Sequence, residues 1–235
     1  MFKGIIVKLL PVIYKAFPRM FSTSIILMEM ISAKAILDIG CGDGETFNWL
    51  KKNDRLLSFN KTAAYTVGLD IFMPWLKKAK TQYTDVVNGD ARFLPFRDRS
   101  FDVCTAFEVI EHLTKLDAYK FLRELNRVAK RQVIITTPVM EIIQPPSEYL
   151  ENVFQKHRSA WHPYEMKEQG FKVIGLRGMK KLFGETRQKG IDYAIKHPLL
   201  KPLLTIIKKL SCLIVYYYPS IAHQQLCVKM IKENI

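Results

Sequence analysis

The sequence is poor in cysteine, has no long uninterrupted apolar run, and carries too few acidic residues to balance its basic ones. Cys41, Cys104, Cys212 and Cys227 are its only cysteines, spread over 235 residues. There is no Cys-x-x-Cys pair and no histidine at zinc spacing from one, which excludes a disulfide scaffold or zinc ribbon and leaves no metal-ligand set to be read. A reducing compartment is the expectation, with the chain cytoplasmic. The longest apolar stretches, Gly4–Met30 and Leu203–Tyr218, are interrupted by lysines and, in the first, by prolines. Neither reaches the roughly 18–20 residues that a spanning helix needs. No small-residue cleavage site follows the first stretch, so no secretory signal is expected.

What is present begins with charge. The formal net charge is +14, and it is concentrated at the two ends. Residues 1–35 hold five basic residues against one acidic, and residues 170–235 hold twelve against three. The middle is nearly neutral. An excess placed this way speaks of an anionic partner and says little about the fold. The length is that of one domain with a full core.

From Ala35 onward, short apolar runs alternate with segments of helical spacing. That pattern predicts an α/β chain, with a mostly parallel sheet covered by helices on both faces. Strands are expected at Ala35–Ile39, Tyr65–Leu69, Asp85–Asn88, Phe101–Ala106, Gln132–Thr137, Phe171–Leu176 and Gln225–Ile231. Helices are expected over 44–52, 72–83 and 116–130, the last burying Leu116, Tyr119, Leu122, Leu125 and Val128. Pro138 and Pro145-Pro146 open a loop reaching to about Trp161, and Pro163–Gln169 forms a short helix stopped by Gly170. The organisation expected is a basic apolar segment over 1–34 and one domain over 35–235. That domain carries an insertion at about 177–222, before the last strand.

The strongest chemical signal is Asp38-Ile39-Gly40-Cys41-Gly42-Asp43-Gly44, where a strand runs into a glycine-rich turn and a helix. Alternate glycines let main chain approach a ligand. A dinucleotide fingerprint would need glycine where Glu45 stands, and Asp38 and Asp43 would oppose a pyrophosphate. The turn therefore suits a ligand with a positive centre.

Asp-x-Gly-x-Gly-x-Gly after a strand resembles motif I of class I S-adenosylmethionine-dependent methyltransferases. The resemblance continues through Thr66-Val67-Gly68-Leu69-Asp70, Asn88-Gly89-Asp90-Ala91-Arg92-Phe93-Leu94-Pro95-Phe96, Ser100-Phe101-Asp102-Val103 and Phe107-Glu108-Val109-Ile110-Glu111-His112-Leu113. It covers roughly 35–176 and the terminal strand, and within the family it is most similar to the group that includes ubiquinone and menaquinone methyltransferases. It implies a Rossmann-like seven-stranded sheet with an antiparallel last strand, S-adenosyl-L-methionine as cofactor, and methyl transfer to a small-molecule or lipid-linked acceptor. Methylation of RNA, or a catalytically inactive binding subunit, are the alternatives; no Asn/Asp-Pro-Pro-Tyr/Phe motif follows the fourth strand.

The resemblance and the chemistry together assign residues. Gly40, Cys41, Gly42 and Gly44 would cradle the cofactor, with Asp38 toward its ammonium. Asp70 would accept from both ribose hydroxyls, next to Ile71; the alternative for Asp70 is a helix N-cap. Asp90 would accept from the adenine amino group beside Ala91, or would simply hold a turn. Phe93 or Phe107 would wall the adenine, although aromatic residues beside strands commonly belong to a core. His112 is the candidate general base, against the alternative of pinning a helix start. Glu111 and Trp161 are candidate substrate contacts. Trp161 has an equally concrete alternative as a hydrophobic staple onto Met166. Gly40 to Asp70 exceeds the roughly 20 residues of a compact unit, and the excess is assigned to a loop around Asn53–Thr62. Lys196, Lys201, Lys208 and Lys209, interleaved with Leu and Ile, predict reversible contact with an anionic membrane face.

Overall fold

The computed structural model describes residues 30, 33–52, 65–139, 152–180 and 201–232. Most of the N-terminal segment, the loop at Asn53–Thr62, much of the proline-rich loop and residues 181–200 of the insertion lie outside them. Seven strands form one sheet: β1 (Ala35–Ile39), β2 (Tyr65–Asp70), β3 (Asp85–Asn88), β4 (Phe101–Phe107), β5 (Ala129–Pro138), β6 (Lys172–Met179) and β7 (Ala222–Met230). Their order is β3-β2-β1-β4-β5-β7-β6, all parallel except β7, which runs antiparallel to β5 and β6. The expected sheet and its antiparallel last strand are therefore present.

Period-two alternation assigns the two faces. Leu37 and Ile39 of β1, Cys104 and Ala106 of β4 and Ile135 of β5 pack on helix α3 (Lys115–Val128) and on Trp161 and Met166. Ile36, Val103 and Ile134 pack the other way, on α1 (Glu45–Lys52) and α2 (Met73–Ala79), through Phe47, Leu50, Leu76 and Ala79. Asp38, on β1 between Leu37 and Ile39, thus belongs to the α1–α2 face.

Two helical expectations need correction. The buried stripe of α3 is Ala118, Phe121, Leu122, Leu125 and Val128, while Leu116 is 69% exposed and Tyr119 also faces solvent. Phe121 takes the buried place because it points to the sheet in register with Ala118 and Leu125. The helix expected over 72–83 ends at Ala79, and Tyr83 turns inward to stack on Phe47 at 4.9 Å and to reach Asp38.

The short helix α4 (Pro163–Glu168) precedes β6, and the described part of the insertion is a helix, α5 (Lys201–Tyr217), packed on β6. The approach is close: a Cβ on Gly175 would lie 2.2 Å from the carbonyl oxygen of Val215, so only glycine fits there. Ser211 and Val215 are buried, while Ile207, Leu210, Leu213, Ile214 and Tyr217 are exposed. Among the described residues no helix is long and apolar enough to cross a membrane.

Candidate functional site

A cleft opens at the carboxyl ends of β1, β2 and β3 and beside the turn after β4, where ligands of open α/β sheets bind. Gly40, Leu69, Asp70, Ile71, Gly89, Asp90, Ala91, Arg92, Glu108, Val109 and His112 line it, with Trp75 at one side and Asn152, Phe154 and Arg158 at the other. Six expected site residues, Gly40, Asp70, Ile71, Asp90, Ala91 and His112, share this wall. Gly40 has φ +64, and a Cβ on it would stand 2.5 Å from a methyl of Val109. The turn therefore folds back on the end of β4 only because that side chain is absent.

Asp70 is 7% exposed. One carboxylate oxygen accepts from the Gly42 N–H at 2.8 Å and the other from the Phe72 N–H at 2.8 Å, tying the glycine turn to the end of β2. Burial raises its carboxyl above the ordinary value, and these main-chain donors oppose the rise. It is not the helix cap; Phe72 occupies that position. Asp90 holds a turn through the Arg92 N–H and accepts the Arg92 fork at 2.6–3.0 Å, which keeps its carboxyl below the ordinary range. The turn alternative is thus realised, and any adenine amino group would share the carboxylate with Arg92.

The remaining expectations fall elsewhere. Asp38 lies beneath the turn, outside the cleft wall, accepting from Tyr83 at 2.5 Å and Thr105 at 2.7 Å. Burial pushes its carboxyl up to about 6, with the two hydrogen bonds pulling down. Cys41, Gly42 and Gly44 shape the turn without lining the cleft. Cys41 is buried, and its N–H donates to the Leu69 carbonyl. Phe107 is corrected: alternation turns it to the opposite face, into a second cleft with Glu45, Thr46, Trp49, Leu50, Thr136, Leu176, Arg177 and Gln224. Phe93 is 67% exposed and lines neither cleft.

Trp161 and Glu111 are also corrected as substrate contacts, since both are buried and line neither cleft. Trp161 packs in the same core as Met166, and its indole N–H donates to Ser159 Oγ at 3.0 Å. Its carbonyl accepts from Gln225 at 2.7 Å. Glu111 accepts from Thr137 at 3.0 Å through one oxygen, while the other has no hydrogen-bond partner. Burial raises its carboxyl, and the neighbouring Glu108 charge adds to the rise.

His112 lines the cleft, but burial and the neighbouring His157 press its imidazole down to about 4. So weak a base takes little part in proton abstraction near neutral pH. Sequence reasoning missed Glu108, the one residue common to both clefts. It has φ +56, a left-handed conformation that costs a non-glycine residue energy and is concentrated at functional sites. The bond from Gln224 Nε2 to Glu108 Oε1, at 2.6 Å, spans the gap between β4 and β7. Nothing in a glutamate's identity announces this backbone angle.

The methyltransferase domain family matches residues 37–136. The chain is 33% identical over 115 residues to a probable tRNA methyltransferase 9B of Bos taurus, covering 48% of this chain and 22% of that protein. It is 27% identical over 141 residues to the demethylmenaquinone methyltransferase of Thermotoga maritima, covering 59% of this chain and 57% of that one. Less than two thirds of the length of these relatives is spanned. Among solved structures, a SAM-dependent methyltransferase from Archaeoglobus fulgidus superposes with a TM-score of 0.55 at 17% identity, covering 93% of this chain and 98% of that one. At that identity the likeness concerns the fold.

Proposed function

The chain carries a class I S-adenosylmethionine-dependent methyltransferase domain, and on that premise we propose that it methylates a small-molecule or lipid-linked acceptor. The observation that carries the reading is the meeting of two clefts at Glu108, one containing the glycine turn and Asp70, the other lined by Trp49, Leu50, Phe107 and Leu176. The first fits the cofactor: main chain is bare at Gly40, and an acceptor-only carboxylate stands beside the apolar Leu69, Ile71 and Ala91. When bound, S-adenosyl-L-methionine supplies an electrophilic methyl group whose departure leaves a neutral thioether.

The chain's own residues bind and orient. Asp70 takes the ribose hydroxyls, and Ala91 with Asp90 faces the adenine. An acceptor entering by the second cleft presents its nucleophilic atom at Glu108; that atom's lone pair forms the new bond to carbon, and its proton leaves to solvent. Alignment supplies most of the rate, because the leaving group needs no protonation.

The lipid-linked part of the reading is supported by α5, which packs on the strand that gives Leu176 and Arg177 to the second cleft and leaves an apolar stripe open to solvent. Together with the basic excess of 170–235, this suits reversible contact with an anionic membrane face. The name of the Bos taurus relative and the net charge favour RNA as the second reading.

Methyl incorporation from labelled cofactor into separated lipid, small-molecule and RNA extracts tests the proposal. Label in the lipid or small-molecule fraction is expected. Label confined to RNA overturns the acceptor class, and cofactor binding with no incorporation anywhere leaves a binding subunit.

A further inference from the structure

We propose that Glu111, His112 and His157 form a divalent-cation site at the wall of the cofactor cleft. One ligand atom from each, a carboxylate oxygen and two imidazole nitrogens, lies within 4.8 Å of the others. Bonds of ~2.0–2.2 Å to a shared metal separate two ligand atoms by at most about 4.4 Å, so small side-chain rotations close the set. The sequence gives no hint of it, because Glu111 and His112 are adjacent while His157 comes from a distant loop.

Two unmet polar atoms point independently to a ligand. The second carboxylate oxygen of Glu111 and Nδ1 of His112 are buried with no hydrogen-bond partner among the described residues. Glu111 is 2% exposed. A buried carboxylate left half-satisfied is costly, and a cation relieves the cost by accepting both lone-pair donors at once.

The loop that delivers His157 is fixed in place. The N–H groups of Arg158 and Ser159 donate to the Glu111 carbonyl at 2.8 and 3.1 Å, and Ser159 Oγ donates to the Ile110 carbonyl. Trp161 then clamps Ser159, and Gln225 of β7 clamps Trp161. The result sets the His157 ring edge-on to His112 at 4.9 Å. The buried tryptophan thus serves the site as the peg that positions a ligand loop. Mixed imidazole and carboxylate donors suit a first-row cation of the Mn²⁺, Co²⁺ or Zn²⁺ kind in preference to Mg²⁺ or Ca²⁺. Three protein ligands leave at least one coordination position open. A role for the ion in holding a donor atom of the acceptor rests on the methyl-transfer reading; the site itself does not.

Titration of the metal-free full chain with Co²⁺, followed by visible absorption and calorimetry, tests the site. One equivalent bound at micromolar or tighter affinity, with ligand-field bands, is expected. His157→Ala, on a half-buried loop residue, should weaken binding at least tenfold, and Glu111→Gln should do the same if it folds. S-adenosylhomocysteine affinity, measured in parallel on wild type and His157→Ala, should change by less than threefold. Absence of stoichiometric Co²⁺ binding to wild type, or unchanged binding in His157→Ala, overturns the site. Loss of S-adenosylhomocysteine binding in wild type would overturn the cofactor reading while leaving the metal result to stand by itself.

Discussion

On the β1–β3 side of the sheet the two carboxylates buried among the described residues are matched, Asp38 by Tyr83 and Thr105 and Asp70 by the N–H groups of Gly42 and Phe72, and the half-buried Asp90 is matched by the Arg92 fork. On the β4–β5 side Glu111 keeps one oxygen and His112 one nitrogen without a partner, and Glu108 holds a left-handed backbone. The first region is assembled around the glycine turn and the ends of parallel strands β1 to β3. The second is assembled from a loop, a 3₁₀ turn at Ile110–His112 and the antiparallel strand β7. Unspent polar capacity collects where distant segments converge, and that is where ligand chemistry is to be sought.

The sharpest way to break this contrast is Trp161→Ala. If Trp161 is the peg of the second region, truncation should cost about 3–5 kcal/mol, as for other large buried aromatics. Denaturant unfolding would read this as a lowered midpoint. A substrate contact would instead change KM at constant stability, and that result would return Trp161 to the acceptor pocket.

The matched region has a pH signature. The Asp38 carboxyl is pushed up to about 6 by burial, so the folded state binds its proton more tightly than the unfolded state. Its contribution is therefore fully present below the ordinary value near 3.8 and is lost as pH rises through about 6. The fall amounts to roughly 3 kcal/mol at most. Comparing wild type with Asp38→Asn over pH 4–7, only the wild type should show this loss. Parallel curves would mean that Tyr83 and Thr105 fully offset the burial.

Asp70→Ala should weaken S-adenosylhomocysteine at least about tenfold by calorimetry, since hydrogen bonds to a charged group are worth roughly 1.5–3 kcal/mol. An effect within twofold would reduce Asp70 to a strap for the glycine turn. The smallest effect on the fold is expected at α5. Leu210→Glu with Ile214→Glu, both exposed, should alter stability by no more than about 0.5 kcal/mol while reducing flotation with anionic liposomes at low salt. Unfolding of this variant would show that the stripe is packed, and flotation equal to wild type would remove the membrane contact.

Strands β1, β2, β4 and β5 were legible because each is a largely apolar run buried over most of its length and bounded by turn residues, whereas β3 is a half-buried edge strand. β1 and β3 match to the residue, and β5 begins earlier only because α3 passes into it without a loop. Six expected cleft residues were legible for a related reason: they follow strand ends directly, and topology carries every such end to one rim. Phe107 was misplaced by a single step of strand alternation, and α3 was read one stripe off because Leu116 and Tyr119 fit the helical period as well as Phe121 does.

The sequence by itself determined the layered α/β architecture, the glycine turn and its cofactor class, since strand periodicity and a run of closely spaced glycines are local properties. Tertiary structure alone decided that Trp161 is a core peg, that Glu108 joins two clefts, and that Glu111, His112 and His157 converge. Those outcomes depend on β7 inserting between β5 and β6 and on a loop fastened to the Glu111 carbonyl. Contacts between residues far apart in the chain leave no spacing to read, because the fold, and no local period, sets the distance between them.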